Sequence, residues 1–207
     1  MSKGLFITFE GIDGCGKTTQ IELLTEQLKK NHQDFIVFRE PGGTKIGEKI
    51  RHILLDNGNM AMEAKTELLL YSASRYQLSK QQLIPEIKKG KVVICDRFYD
   101  STTAYQGYGR GLDINFINSL NKFATDSLVP DLTFFIDISL QERKKRIRND
   151  QLDRLESEQN HFHERVREGF LKICKNNEDR FVKINGEKPV KEISNIIWEN
   201  IGRKLNE

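Results

Sequence analysis

The densest run of chemically useful residues is Gly11-Ile12-Asp13-Gly14-Cys15-Gly16-Lys17-Thr18, followed by Thr19. Its spacing is that of a phosphate-binding loop. A turn of this kind collects backbone N–H groups and the positive end of a helix dipole at one point, where a polyphosphate is held. Gly11, Gly14 and Gly16 are needed because a Cβ would block positive φ angles or the approach of backbone to phosphate oxygens. Lys17 is placed to reach β- and γ-phosphates as a point charge, and the Thr18 hydroxyl to ligate Mg²⁺. The thiol of Cys15 has no part in phosphate transfer and reads as filler.

A second group stands far downstream. Asp96 and Arg97 follow the apolar run Lys91-Val92-Val93-Ile94-Cys95. A carboxylate at that place is expected to organise Mg²⁺ beside Thr18, and a guanidinium next to it can fork onto an acceptor phosphate. The most basic stretch, Glu142 to Asp150, carries Arg143, Lys144, Lys145, Arg146 and Arg148. A solvated helix face is its plain reading. Its place after the fourth apolar run also suits a lid whose arginines neutralise charge on a transferring phosphoryl group. Tyr71, Tyr99, Tyr105 and Tyr108 are candidates for base stacking or sugar contact. His161 and His163, two apart on a helix, point to different faces and form no metal pair; both read as solvated.

These groups need a scaffold that gathers them. Leu5–Phe9, Phe35–Phe38, Lys91–Cys95, Leu132–Ile136 and Phe181–Ile184 read as strands, the third as a run covered on both faces. Helical spacing fills the intervals: Ile21, Leu24 and Leu28; Ile46 to Leu55; Glu63 to Ile87; Asn115 to Leu128; and stripes through Phe162, Val166, Phe170 and Ile173 and through Ile193, Ile197, Ile201 and Leu205. Ser139 or Asp137 is set to cap the helix after the fourth strand. The alternation predicts an α/β fold: a doubly wound five-stranded parallel sheet with helices on both faces. Its ligands belong at the carboxyl ends of the strands, where Arg39-Glu40-Pro41-Gly42-Gly43 also falls. The length, 207 residues, suits one domain spanning 1–207, with the lid at about 142–154. A net charge of +3 does not suggest a nucleic-acid partner, and no apolar run reaches membrane-spanning length. With no apolar leader before the first strand and three cysteines that form no C-x-x-C pair, the expectation is a cytoplasmic protein with reduced thiols.

Taken together, the motifs resemble the bacterial thymidylate kinase family. Phe9 to Thr19 looks like its phosphate loop, and Arg39-Glu40-Pro41-Gly42-Gly43 like its second signature. Leu70 to Arg75, Asp96 to Ser101, Ala104-Tyr105-Gln106-Gly107 and Asp153-Arg154-Leu155-Glu156 extend the likeness, which runs from residue 7 to about 170. The resemblance implies Mg²⁺-dependent transfer of the γ-phosphoryl group of ATP to dTMP, giving dTDP for dTTP synthesis, in a homodimer. Arg39, Arg75 and Arg97 would hold the acceptor phosphate, and Asp13 the 3′-hydroxyl. Arg75, Thr102 and Gln106 would read the base, and Tyr105 would lie against the 2′ carbon. Tyr71 stands where the family usually has a Phe that stacks on thymine. The loop lacks an arginine, so the resemblance assigns the catalytic arginine to the lid, as Arg146 or Arg148, beside Lys17 and Arg97. A GTPase switch would need Asn-Lys-x-Asp, whereas Asn121-Lys122-Phe123-Ala124 ends in Ala; another P-loop kinase of a nucleotide or nucleoside is the stronger rival.

Overall fold

A computed structural model describes residues 4–147 and 152–205. The strands β1 (Leu5–Glu10), β2 (Phe35–Arg39), β3 (Val92–Asp96), β4 (Leu132–Asp137) and β5 (Phe181–Asn185) form a single sheet in the order β2-β3-β1-β4-β5. Every pairing is parallel. The five expected strands are all present. Pairing of β1 with both β3 and β4 makes β1 the central strand, so its carboxyl end lies at the point where the strand order reverses, the usual ligand crevice of such sheets.

The period-two alternation of the strands splits the core into two layers. Leu5, Ile7 and Phe9 of β1, with Val92, Ile94 and Phe134, pack against α1 (Lys17–Lys30) and α9 (Val190–Leu205) through Leu24, Leu28, Ile197 and Ile201. The opposite face of β1 and β3, with Phe6, Val93 and Cys95, meets Leu78, Leu83 and Phe98. Further along that face Phe135 stacks on Phe170 of α8 (Asn160–Lys175), ring centroids 5.3 Å apart.

The remaining helices are α2 (Lys45–Leu55), α3 (Ala64–Leu78), α4 (Ile84–Lys88), α5 (Tyr99–Thr102), α6 (Ile114–Ala124) and α7 (Leu140–Arg146). A π-helical stretch, Ser79–Leu83, joins α3 to α4, so the expected helix from Glu63 to Ile87 is interrupted at its end. The sixth helix stops at Ala124 and not at Leu128, because Asp126 and Ser127 turn the chain with positive φ angles of 57° and 62°. Ser139, and not Asp137, caps α7 by accepting the Glu142 N–H at 3.2 Å; Asp137 instead pairs with Arg167 at 2.6 Å. Among the described residues no helix is long and apolar enough to cross a membrane.

Candidate active site

Strand β1 delivers the chain into the glycine-rich turn at its carboxyl end. Gly11 has φ 138°, and a Cβ there would stand 2.5 Å from the Ile136 carbonyl oxygen of the neighbouring strand. Gly14, at φ 79°, would press a Cβ to within 3.0 Å of Ile147 beyond α7, so only glycine lets the lid's base sit against the loop. Gly16, left-handed at φ 99°, starts α1, and its carbonyl accepts from the Gln20 N–H at 3.1 Å. Lys17 is buried and donates to the Gly11 and Ile12 carbonyls at 3.2 and 3.4 Å, which folds its ammonium across the turn. Thr18 and Thr19 stand exposed on the first turn of the helix, in the same cavity. Cys15 is buried under the loop, and Cys15, Cys95 and Cys174 are all free thiols.

The loop is tied to the end of β3 by Arg97. This residue adopts a left-handed backbone, φ 68°, unusual for a side chain of its size. Its guanidinium donates to the Gly11 carbonyl at 2.8 Å and to Ser101 Oγ at 3.2 Å, and forms an ion pair with Asp13. The Tyr105 hydroxyl donates to the other Asp13 oxygen at 3.1 Å, and the Arg97 guanidinium lies 5.2 Å from the centre of the Tyr105 ring. Burial pushes the Asp13 carboxyl up, but the charges of Arg97 and Lys17 outweigh it and hold the group well below the usual carboxylate range. Underneath, fully buried Glu10 accepts from the Phe98 N–H at 2.8 Å and the Ser101 hydroxyl at 2.5 Å, clamping the turn that carries Arg97. Burial, then the neighbouring Asp100 charge, pushes Glu10 up to about 8.

Asp96 ends β3 beside this cluster, and its Oδ1 is buried without a partner among the described residues. Asp96 and Thr18 both line the cavity, and an orphaned carboxylate oxygen beside a hydroxyl fits a hard cation that takes oxygen ligands. No group of three or more His, Cys, Asp or Glu side chains converges among the described residues. Mg²⁺ takes one or two protein ligands and completes its shell with phosphates and water.

On one side of the loop the cavity is walled by the expected acceptor residues. Arg39, half exposed, donates to the Pro41 carbonyl at 3.1 Å and pairs with Glu48 at 2.9 Å. Arg51 reaches the same Pro41 carbonyl at 2.9 Å. The two guanidiniums therefore share one acceptor, and burial together with the Arg39 charge pulls the Arg51 pKa down. The sequence did not single out Arg51; its signal was a basic residue on an amphipathic helix that follows the Pro-Gly turn. Tyr71 lines the cavity, and burial pushes its phenol up. Arg75, expected both at the phosphate and at the base, has every guanidinium nitrogen engaged: Nε and Nη2 on Glu40 at 2.8 and 2.7 Å, Nη1 on Thr102 at 2.9 Å and Asn121 at 3.3 Å, and Nη2 on the Phe98 carbonyl at 3.2 Å. It braces the wall and has no donor left over for a phosphate. Gln106 is buried in the same wall.

The basic stretch divides. Arg143 is buried and donates to the Glu156 carbonyl at 3.1 Å, while Lys144 and Lys145 face solvent. Arg146 lines the cavity, held by Glu142 at 2.9 Å and by the Gly186 carbonyl at 3.0 Å. Arg148, the other lid candidate, lies outside the described residues. Asp153 and Glu156 also face the cavity. Tyr99 and Tyr108 do not line it: Tyr99 packs on Phe98 and under Arg180, and Tyr108 lies against Gly169. The expectation that both histidines are solvated fails for His163, which is fully buried beside Phe162, whereas His161 is exposed.

Past the loop, the cavity continues along Gly186, Lys188, Val190 and Ile193, with Gln20 donating to the Val190 carbonyl at 3.0 Å. The sequence reading missed this end, although Gly186-Glu187-Lys188-Pro189 is a turn at the carboxyl end of β5, the same signal that marked Arg39. The whole space, about 760 Å³, has the phosphate loop at its middle and a distinct wall at either side.

A parallel sheet with a phosphate loop at its switch point, a second arginine cluster across the cavity and a basic lid between them defines a P-loop kinase that brings two phosphorylated ligands together. A family profile described as thymidylate kinase matches residues 9–197. A thymidylate kinase from Caldanaerobacter subterraneus subsp. tengcongensis is 49% identical over 98% of this chain and 97% of its own length. One from Lactobacillus acidophilus is 48% identical over 98% of the chain and 96% of its own length. The crystal structure of thymidylate kinase from Ehrlichia chaffeensis superposes with a TM-score of 0.79 at 36% identity, covering 96% of this chain and 98% of that one. The chain belongs to the thymidylate kinase family.

Proposed function

We propose that the protein transfers the γ-phosphoryl group of ATP to the 5′-phosphate of dTMP, releasing dTDP and ADP for dTTP synthesis. The observation that carries this reading is the continuous cavity whose two ends meet at Lys17 and Arg97. A donor nucleotide held along Gly186 and Val190 and an acceptor held between Tyr71 and Arg39 would bring their phosphates together over the loop. An oxygen of the acceptor phosphate then attacks the γ-phosphorus in line, and the bond to the β-bridging oxygen breaks. The protein's work is positioning and charge neutralisation. Backbone N–H groups of the loop and the Lys17 ammonium take the donor phosphates. Arg97, Arg39 and Arg51 hold the acceptor phosphate, and Asp13 accepts from the 3′-hydroxyl. Arg146 reaches in from the lid to the transferring group, with Arg148 as its alternative. Thr18 and Asp96 would hold Mg²⁺, which when bound neutralises phosphate charge.

We assign the chain to a single domain over 1–207 with its lid at about 142–154, working in the cytoplasm; the free buried thiols accord with a reducing compartment. A homodimer is supported by exposed apolar residues on the neighbouring helices α2, α3 and α6. Ile46, Ile53, Leu69, Tyr76, Phe116 and Phe123 are all exposed there, Phe123 by 73%, and Tyr76 stacks on Phe123 at 6.1 Å. Sedimentation equilibrium at micromolar concentration reads the oligomeric state directly.

The deciding experiment is a coupled assay of ADP formation across all common nucleoside monophosphates and nucleosides. dTMP should be the best acceptor by about a hundredfold or more. Preferential turnover of a nucleoside or of a purine monophosphate would refute the assignment.

A further inference from the structure

Glu67 lies on α3 one turn before Tyr71, with no exposed surface. Its carboxylate is surrounded by donors. Gln106 Nε2 donates to Oε1 at 2.9 Å and Arg110 Nε to the same oxygen at 3.2 Å; Arg110 Nη2 donates to Oε2 at 3.1 Å, and Arg154 Nη2 stands 2.6 Å from it. Burial pushes the Glu67 carboxyl up, but the hydrogen bonds from Arg110 and Gln106 and the charges of Arg110 and Arg154 outweigh it, leaving an ionised carboxylate.

An ionised carboxylate accepts and never donates. Gln106 must therefore turn its amide NH₂ towards Glu67, and its carbonyl is the end left to the cavity that Gln106 lines. Thr102 stands in the same wall, four residues earlier. Its Oγ1 accepts from Arg75 at 2.9 Å, so its own O–H is the group left to donate. The wall thus offers a ligand one acceptor and one donor.

A thymine or uracil ring carries the complement, an N3–H donor next to the C4 carbonyl acceptor. Cytosine reverses both, with an acceptor at N3 and an amino donor at C4. Seated against this wall it would set acceptor on acceptor and donor on donor, the repulsive half of specificity.

We propose that Glu67 is a positioning residue for base choice: it locks the Gln106 amide so that the wall accepts from N3–H and rejects cytosine. The inference rests on the dTMP kinase reading, and it concerns a residue that never touches the substrate.

The test compares kcat/KM for dTMP and dCMP in the parent, in Glu67→Gln and in Arg154→Met. The glutamine introduced at position 67 is isosteric and carries both a donor and an acceptor, so the Gln106 amide is released to take either orientation. The dTMP:dCMP ratio should narrow at least about tenfold in that variant, chiefly through a higher KM for dTMP, with kcat on dTMP little changed. Arg154→Met strips an ion pair from the same carboxylate and leaves the Gln106 bond in place. It should lower thermal stability without moving the ratio. An unchanged ratio in Glu67→Gln, or equal narrowing in both variants, overturns the proposal. Should Glu67→Gln fail to fold, Gln106→Met removes the carbonyl at similar length and must narrow the ratio; an unchanged ratio there overturns the proposal as well. A parent enzyme that does not phosphorylate dTMP at all would instead strike down the functional reading.

Discussion

Lowering the pH should weaken this protein through His163, and by an amount that the structure allows to be worked out. The imidazole, on α8, is fully buried beside Phe162, and burial first, then the Arg143 charge of α7, pulls its pKa from the ordinary 6.5 down to about 4. The unfolded chain therefore binds this proton before the native protein does, so stability rises with pH across this window and is lost as pH falls from 6.5 towards 4. Between pH 7 and pH 5 the loss comes to about 2 kcal/mol, and it levels off at about 3 kcal/mol once both states are protonated. Glu10 works the other way: its pKa, raised to about 8, makes its contribution fall as pH rises from 4.5 to 8. The raw stability curve of the parent mixes the two. Urea unfolding of the parent and of His163→Leu at pH 7, 6 and 5 separates them, because Glu10 and any packing offset cancel in the difference between the curves. The parent should lose about 2 kcal/mol more than the variant on going to pH 5. A difference flat to within about 0.5 kcal/mol would show that His163 reaches a proton acceptor or solvent in the native state, and the reasoning would be wrong.

Three further outcomes follow from the site. Lys17→Ala should cost about 3 kcal/mol or more in kcat/KM with the circular dichroism spectrum unchanged, and parental turnover by the folded variant would remove the loop from the active site. Of Arg146→Ala and Arg148→Ala, the one that removes the catalytic group should lower kcat about a thousandfold with little change in KM for dTMP; near-parental kcat in both singles and in the double variant would return the stretch to a solvated helix. Tyr105 packs edge-on against Phe162 and Phe170, so its ring and its hydroxyl are separable. Tyr105→Phe should lower dTMP efficiency about tenfold through the lost bond to Asp13 and leave the preference for deoxyribose over ribose intact, whereas Tyr105→Leu should narrow that preference; a ratio unmoved by either variant leaves the ring a core residue only.

What the sequence made legible follows a physical line. Strands buried on both faces announce themselves by unbroken apolar runs, and β1, β3 and β4 are found where Leu5–Phe9, Lys91–Cys95 and Leu132–Ile136 placed them. The phosphate loop was legible because backbone geometry there demands glycine, and its three left-handed glycines are the ones the spacing singled out. The segment Tyr99–Gly109 was not legible as a helix. It is buried almost throughout, yet half of what it buries is polar, Asp100, Ser101, Thr102, Thr103 and Gln106 among them, so no apolar stripe marks it. Glu67 and Arg154 are buried charges that likewise belong to no apolar stripe. The two histidines show where a sound local argument stops: i and i+2 do point to different faces, but which face meets α7 is a tertiary fact.

The paired charges of the site share one property. Glu40–Arg75, Glu67–Arg154 and Asp100–Arg180 are buried ion pairs and Asp13–Arg97 a partly buried one, each joining elements far apart in sequence. Pairs of this kind gain little net stability, since removing two charges from water costs about as much as their attraction returns. Their loss is another matter, because one partner removed leaves a buried charge uncompensated at about 3–5 kcal/mol. What they fix is therefore position. Asp13 fixes Arg97 over the loop, Glu40 fixes Arg75 against Thr102, and Glu67 fixes Gln106. A site that works by holding two highly charged ligands in line needs its arginines immobile before the ligands arrive, and mutual pairing among side chains from the phosphate loop, the turn after β2, α3, the turn after β3 and the segment before α8 provides that. Hydropathy cannot see such a network, because every member looks like surface until its partner is placed beside it.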